Sequence, residues 1–277
     1  IRTLRVGNYK YIRNYQPFNV DGLYNFYRYK MLGYKNWRDL YFSEKLNEKQ
    51  RKFFEFRRAE ALYDLDQDPH EVNDLSLSAE HQEILTQMRD QLREKLVSLP
   101  DLSFYPEPFL LENALKKPVD FGLNHRYEIQ ELIAVADLNL YSFSDAEQQI
   151  RLALANENPW IRYWGLIACS SFGREAKSFL PKIQELLNND EENLVRFRAL
   201  EYLMLNKQPY QTKIIKEILK SAKSMTEANL MLNSLALIKS LNPSFKPDLS
   251  KDIFPTEWYE KENDLVNRRM NYLIFNL

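Results

Sequence analysis

The chain has 277 residues, of which 44% are hydrophobic, enough for the core of one large domain or two ordinary ones. Its 38 basic and 39 acidic residues are balanced, so no overall field favours nucleic acid or an anionic membrane surface. No run approaches the roughly 18 apolar residues of a membrane-spanning helix, so no membrane span is predicted.

Two short strands are predicted at the start of the chain, over residues 1–6 and 9–15. Gly7 and Asn8 between them suit the positive φ angles of a tight hairpin turn. The chain opens at Ile1, inside the first strand, with neither an initiator methionine nor a signal peptide. We therefore expect it to be part of a longer protein.

Residues 35–58 are predicted to be partly helical, and Asn47 with Gln50 three residues later is a plausible capping pair. A third strand is predicted over residues 61–65, beside the hairpin. Ala61, Tyr63 and Leu65 would line one of its faces. We expect Tyr63 to be a large buried ring whose replacement by alanine costs about 3–5 kcal/mol.

An amphipathic helix is predicted to follow Ser78. It places Ile84, Met88, Leu92 and Leu96 at i, i+4 spacing, which gives one apolar stripe to cover the sheet. Residues 1–98 are therefore predicted to form an α+β unit, a small antiparallel sheet packed by its C-terminal helix.

The segment that joins the third strand to this helix carries a recognisable motif. Residues 60–75 read EALYDLDQDPHEVNDL, in which Asp68-Pro69 is typical of a turn. The segment resembles the E-L-Y-D-L-x-x-D-P-x-E-x-x-N-L signature near the C-terminus of type I (formylglycine-dependent) sulfatases, sulfamidase included, and departs from it at Ala61 and Asp74. The resemblance implies a parent enzyme that hydrolyses sulfate esters or sulfamates, with residues 1–98 as its C-terminal subdomain.

Residues 99–127 are predicted to be a surface linker, because four prolines fall within 100–118 and the periodicity is weak. From 128 to 277 the pattern is helical. Residues 161–166 and 195–200 align at a period of 34, and a weaker copy over 230–235 follows at 35. Such periods predict a helical-repeat solenoid, and the sequence pattern of the copies resembles HEAT repeats. Trp258, Tyr259 and residues 273–277 are expected to cap it.

Side chains that recur within the repeats have structural explanations. Arg162 and Arg196 occupy equivalent positions, where they are expected to bond within or between repeats. Pro159 and Pro181 fall near predicted helix starts, and Gly173 falls just after a helix end.

The catalytic residues that the sulfatase resemblance implies are not found in this sequence. The family forms its formylglycine nucleophile in a C/S-x-P/A-x-R motif and binds the sulfate beside a calcium ion. Cys169, the single cysteine, lacks that motif and is predicted to be a buried structural thiol. The resemblance therefore places formylglycine and calcium in a missing upstream domain, and we expect this chain alone to be inactive.

Other residues with chemical potential have simpler explanations. Asp64, Asp66 and Asp68 lack the glycine and glutamate of a calcium-binding EF-hand loop, so we interpret them as turn formers and predict no metal site. The three histidines, His70, His81 and His125, lack the spacing of a zinc helix.

The residues that we would place at a substrate site are Arg13, Asn14 and Tyr15, with Trp37 as a weaker candidate. Guanidinium groups match sulfate oxygens, and aromatic rings stack on sugar faces. The alternative is that alternating basic and aromatic residues form the solvated and packed faces of a strand.

The leading hypothesis is the C-terminal part of a sulfatase that acts on sulfated carbohydrate, in the periplasm or secreted; the carbohydrate and the compartment come from the family resemblance. One alternative is a non-enzymatic helical-repeat interaction module. Another is a stand-alone hydrolase that uses the histidines.

Overall fold

The first structural layer is a three-stranded antiparallel sheet of β1 (Arg2–Val6), β2 (Tyr9–Arg13) and β3 (Glu60–Asp64), with β2 in the centre. The computed structural model describes residues 1–260 and 264–275. Gly7 turns the hairpin with a φ of 60°, in the left-handed region that glycine tolerates. The predicted hairpin and the position of the third strand beside it are confirmed.

One face of this sheet is buried by helix α4 (Gln82–Ser98), which follows a 3-10 turn at Ala79–His81. Tyr11 and Leu62 are partners across β2 and β3, and both are fully buried. The helix contributes Leu85, Met88, Leu92 and Leu96. Three of the four residues of the predicted apolar stripe are buried and confirmed. In the first turn of the helix, Leu85 is the buried residue, whereas we predicted Ile84.

The other sheet face carries Ala61 and Tyr63, which alternate with Leu62 along β3. Tyr63 is only half-buried, so the prediction of a large buried ring there is wrong. The reason is that α4 covers the opposite face of the sheet. An ion pair of 2.5 Å between Arg89 of α4 and Glu60 of β3 also joins the helix to that face. The alternating pattern of the strand identified two faces but not which of them the helix would cover.

Three short helices connect β2 to β3: α1 (Phe26–Lys30), α2 (Leu32–Phe42) and α3 (Glu48–Arg51), with a 3-10 turn at Lys52–Phe54. Asn47 and Gln50 form the predicted capping box at the start of α3. Helices α1 to α3 contain no buried residue. Their contacts with the hydrophobic core are made by half-buried side chains.

Residues 99–127 are more ordered than the predicted surface linker. They form a 3-10 turn at Leu102–Phe104 and two helices, α5 (Glu107–Asn113) and α6 (Pro118–Asn124). Phe104 is buried, and its carbonyl accepts a 2.7 Å hydrogen bond from the Trp164 indole. Pro108 and Pro118 stand in the first turns of these helices, where proline is well tolerated, so the prolines start helices here.

Among the described residues, the remaining chain is mostly helical, as predicted. Its helices are α7 (Arg126–Ala136), α8 (Phe143–Leu154), α9 (Pro159–Phe172), α10 (Leu180–Asn189), α11 (Asn193–Leu205), α12 (Lys213–Lys220), α13 (Met225–Leu241) and α14 (Leu265–Phe275). Helix α11 packs against both α9 and α13. Gly173 caps α9 with a φ of 59°, as expected. That these helices form a HEAT-like solenoid stays a prediction, as do the domain boundaries.

Arg162 connects successive helix pairs. Its guanidinium binds the Asp190 carboxylate through two hydrogen bonds of 2.6 and 2.9 Å and also donates to the carbonyl of Asn156. Arg196 donates to the Leu187 carbonyl at 2.9 Å. Both arginines therefore make the internal bonds that we expected of them.

The C-terminal helix packs back against the N-terminal part of the chain. The Tyr272 ring stacks on Tyr24 at 3.7 Å, and Arg269 donates to the Tyr24 carbonyl at 2.7 Å. Leu273 is buried, whereas residues 276–277 of the predicted cap lie outside the described residues. Within the described ranges, no helix combines the length and the apolar content that crossing a membrane requires.

Candidate functional site

The carboxylates of the 60–75 motif fix the backbone around them. Asp68 is buried and accepts 2.7 Å hydrogen bonds from the amides of Val72 and Asn73. Asp64 accepts from the Asn8 side chain at 2.8 Å and from the Asp66 amide at 3.0 Å. The hydrogen bond from Asn8 holds the pKa of Asp64 below its ordinary value. The motif is therefore a set of side-chain caps on a tight turn.

Asp74 completes this set and returns the chain to the sheet. Its carboxylate accepts from the Leu62 amide at 3.1 Å and from the Ser76 amide at 2.9 Å. The Leu75 amide then donates to the Leu62 carbonyl at 2.8 Å, so the motif runs alongside β3. Asp74, the departure from the sulfatase signature, thus has a defined structural role.

Metal binding finds no support in the geometry of the described residues. Across 1–260 and 264–275, no three His, Cys, Asp or Glu side chains converge as a metal site. The calcium ion that the resemblance implies, and its assignment to an upstream domain, stay predictions.

Arg13, the first residue of the predicted substrate site, lies inside the protein with an exposure of 1%. Its guanidinium bridges the sheet unit and the helical region. It donates to the Asp137 carboxylate at 3.1 Å, to the Asn139 side chain at 2.6 Å, and to the carbonyls of Ala59, Ala136 and Asn14 at 2.9, 2.9 and 3.0 Å. Burial raises the pKa of Asp137, an effect that the Arg13 charge opposes.

The two residues that follow are also buried. The Asn14 amide group donates to the Arg58 carbonyl at 2.9 Å. The Tyr15 ring lies 5.0 Å from Phe104, and burial raises the pKa of its hydroxyl well above the ordinary value. Substrate contact by Arg13, Asn14 and Tyr15 stays a prediction. Their buried positions favour the alternative, in which these residues serve the packing of the strand.

Trp37 lies on α2, apart from these three residues. It is half-buried, and one face of its indole stacks on Phe53 at 4.7 Å. Phe54 meets the indole edge-on at 5.4 Å. Its Nε1 is buried and has no hydrogen-bond partner among the described residues. Contact of Trp37 with substrate also stays a prediction.

The histidines and the cysteine do not form a catalytic group. His70 is exposed, the His81 ring contacts the Ser78 hydroxyl at 2.8 Å, and the His125 ring stacks on Phe121 at 3.9 Å. Cys169 is fully buried, and burial raises the pKa of its thiol. This placement matches the structural thiol that we predicted and keeps it from serving as a surface nucleophile.

The fold brings together one group of polar residues that were not predicted from the sequence. Asn19, Tyr163, Arg198, Glu201 and Asn233 line a cavity between the N-terminal unit and the helices. They come from four separate segments, so no local motif signals them. Only the fold shows that they meet.

Comparison with known proteins finds one informative similarity. The chain is 33% identical over 112 residues to an "Ulvan-active sulfatase" from Formosa agariphila. The match covers 40% of this chain and only 19% of the length of that relative. No family model and no solved structure matches the chain. The similarity supports a relation to sulfatases at that coarse level.

Proposed function

We propose that the chain is the C-terminal part of a sulfatase that removes sulfate from a polysaccharide, in the periplasm or outside the cell. The observation that carries the proposal is the partial similarity to a sulfatase whose name states that it acts on ulvan. The 60–75 motif supports it, because it folds as a capped turn between a sheet strand and the helix that covers the sheet. The substrate class follows from the relative.

An upstream domain would pack on what we term the open surface, formed by Thr3, Arg5, Ile12 and Tyr63 of the sheet together with helices α1 and α2. Thr3 and Arg5 are exposed, and Ile12 and Tyr63 are half-buried. On the helices, Tyr27, Met31 and Leu32 are 61%, 56% and 80% exposed. An interface with an upstream domain would cover these exposed apolar side chains.

The chemical step belongs to the upstream domain in this proposal. Formylglycine would supply the nucleophile there and calcium would neutralise the sulfate charge. The present chain would complete the fold and border the substrate cleft, with Trp37 on α2 as a candidate for sugar contact.

The test is sulfate release from ulvan and other sulfated polysaccharides, measured by ion chromatography, for the protein encoded by the whole reading frame. We expect release by the longer protein, loss of release when the cysteine or serine of an upstream C/S-x-P/A-x-R motif is replaced by alanine, and none from the 277-residue chain. Absence of such a motif upstream would contradict the proposal and favour a non-enzymatic interaction module. Turnover by the chain alone would favour a stand-alone hydrolase.

A further inference from the structure

A cavity of about 360 Å³ lies where the N-terminal unit meets the helical region. One wall is the loop after β2, with Gln16, Asn19 and Leu23, and a second is the segment from Ser103 to Leu110. Helices α9, α11 and α13 supply the third wall. Its volume falls within the range of about 300–1,000 Å³ that is usual for small-molecule sites.

Two amide side chains in this cavity have unused hydrogen-bonding capacity. The Oδ1 atoms of Asn19 and Asn233 are buried and have no partner among the described residues. Buried polar atoms are seldom left without a partner, because desolvation without a new hydrogen bond costs free energy. A ligand that offers hydrogen-bond donors would satisfy both atoms.

Arg198, the arginine in the cavity lining, is already paired. Arg198 donates to the Glu201 carboxylate at 2.6 Å and to the Tyr163 hydroxyl at 2.7 Å, and its guanidinium lies 4.9 Å from the Tyr163 ring centre. Glu107, also in the lining, adds a second carboxylate. The formal charge of these ionised groups is therefore not positive, which disfavours sulfate or phosphate as the occupant.

The rest of the lining suits a ring with a hydroxylated edge and an apolar face. Leu23, Leu110, Leu230 and Leu237 provide aliphatic surface, and Tyr163 adds an aromatic ring. Planar amides can accept from one hydroxyl and donate to a neighbouring one, whereas aliphatic and aromatic walls pack against C–H groups.

We propose that this cavity binds a neutral saccharide unit through Asn19 and Asn233. The inference rests on the cavity alone and does not require that the parent protein is a sulfatase. Under the sulfatase proposal, it would hold an unsulfated part of the polysaccharide.

The test uses the 277-residue chain labelled with ¹⁵N and titrated with the methyl glycosides of glucose, galactose, mannose and xylose. Sodium sulfate and glucose 6-sulfate serve as anionic probes. We expect at least one neutral glycoside to bind and to shift the amide signals of residues 16–23 and of α13. This mapping on the unaltered chain does not depend on whether any variant folds.

Asn233→Leu removes an amide whose buried Oδ1 has no hydrogen-bond partner among the described residues, so the fold should be retained. The variant should weaken glycoside binding at least tenfold. Asn229→Leu is the matched control, because it lies on the same helix, has an unpartnered buried Oδ1 and does not line the cavity. The proposal is overturned if no neutral glycoside binds or if the shifted signals lie outside the cavity. It is also overturned if Asn233→Leu and Asn229→Leu weaken binding equally, or if sodium sulfate binds as tightly as the glycosides.

Discussion

Replacement of Arg13 by methionine tests whether this residue joins the two halves of the protein. The substitution keeps much of the apolar stem and removes the five hydrogen bonds of the guanidinium. The Asp137 carboxylate then loses its close partner, while Arg93 remains at 3.8 Å. Breaking a buried ion pair from one side costs about 3–5 kcal/mol, which is the loss in the free energy of unfolding that we expect.

The matched control is Arg5→Met on the same hairpin. Arg5 is exposed, and among the described residues its side chain donates only to the Gly7 carbonyl, at 3.2 Å. Its replacement should change the free energy of unfolding by no more than about 0.5 kcal/mol. Urea unfolding followed by both circular dichroism and tryptophan fluorescence measures the two effects, provided that the two transitions coincide.

A double-mutant cycle separates the ion pair from the rest of the arginine. Because Arg13 and Asp137 are in direct contact, Arg13→Met combined with Asp137→Asn should be less destabilising than the sum of the single changes, with a coupling energy of about 1–3 kcal/mol. If Arg13→Met proves as mild as Arg5→Met, the buried bridge is not a stabilising link. The substrate role predicted from the sequence would then regain support.

Three further predictions concern the motif, the linker and the sheet. Asp68→Ala should lower the free energy of unfolding by about 1–3 kcal/mol because it frees two backbone amides, whereas exposed Asp66→Ala should have little effect; equal losses in urea unfolding would contradict the capped turn. Burial acts to raise the pKa of Asp101, but hydrogen bonds from Arg2 and Ser103 lower that pKa overall. The charged carboxylate therefore stabilises the folded protein at pH values above the ordinary carboxyl pKa. This stabilisation is lost as the pH falls towards the lowered pKa of Asp101. The stability difference between wild type and Asp101→Asn should therefore shrink on acidification, and a constant difference would refute this. Thermal unfolding should show a larger loss for Tyr11→Ala, about 3–5 kcal/mol, than for half-buried Tyr63→Ala, and the reverse order would contradict the assignment of the sheet faces.

Local patterns were sufficient to predict the elements whose stability is local. Gly7-Asn8 indicated the hairpin, and Asn47 with Gln50 indicated a helix start, because both signals depend on adjacent backbone geometry. The prolines of residues 99–127 were ambiguous, since proline both breaks a helix and favours its first turn. Packing against distant residues decided between these outcomes.

The candidate sites could not be predicted in the same way. The basic and aromatic character of Arg13 and Tyr15 is equally compatible with binding a sulfated sugar and with packing. What decides is Asp137, which lies 124 residues further along the chain. Likewise, the Asn19 and Asn233 amides meet across one cavity only because the N-terminal loop folds onto α13.

Coverage of the open surface by an upstream sulfatase domain is tested most directly by amide hydrogen exchange. Helices α1 and α2 bury no residue in this chain, so their amides should exchange rapidly in the 277-residue protein. In the protein encoded by the whole reading frame, the same amides should be strongly protected, while those of α9 and α11 should change little. Equal exchange from α1 and α2 in both proteins would contradict the proposed interface.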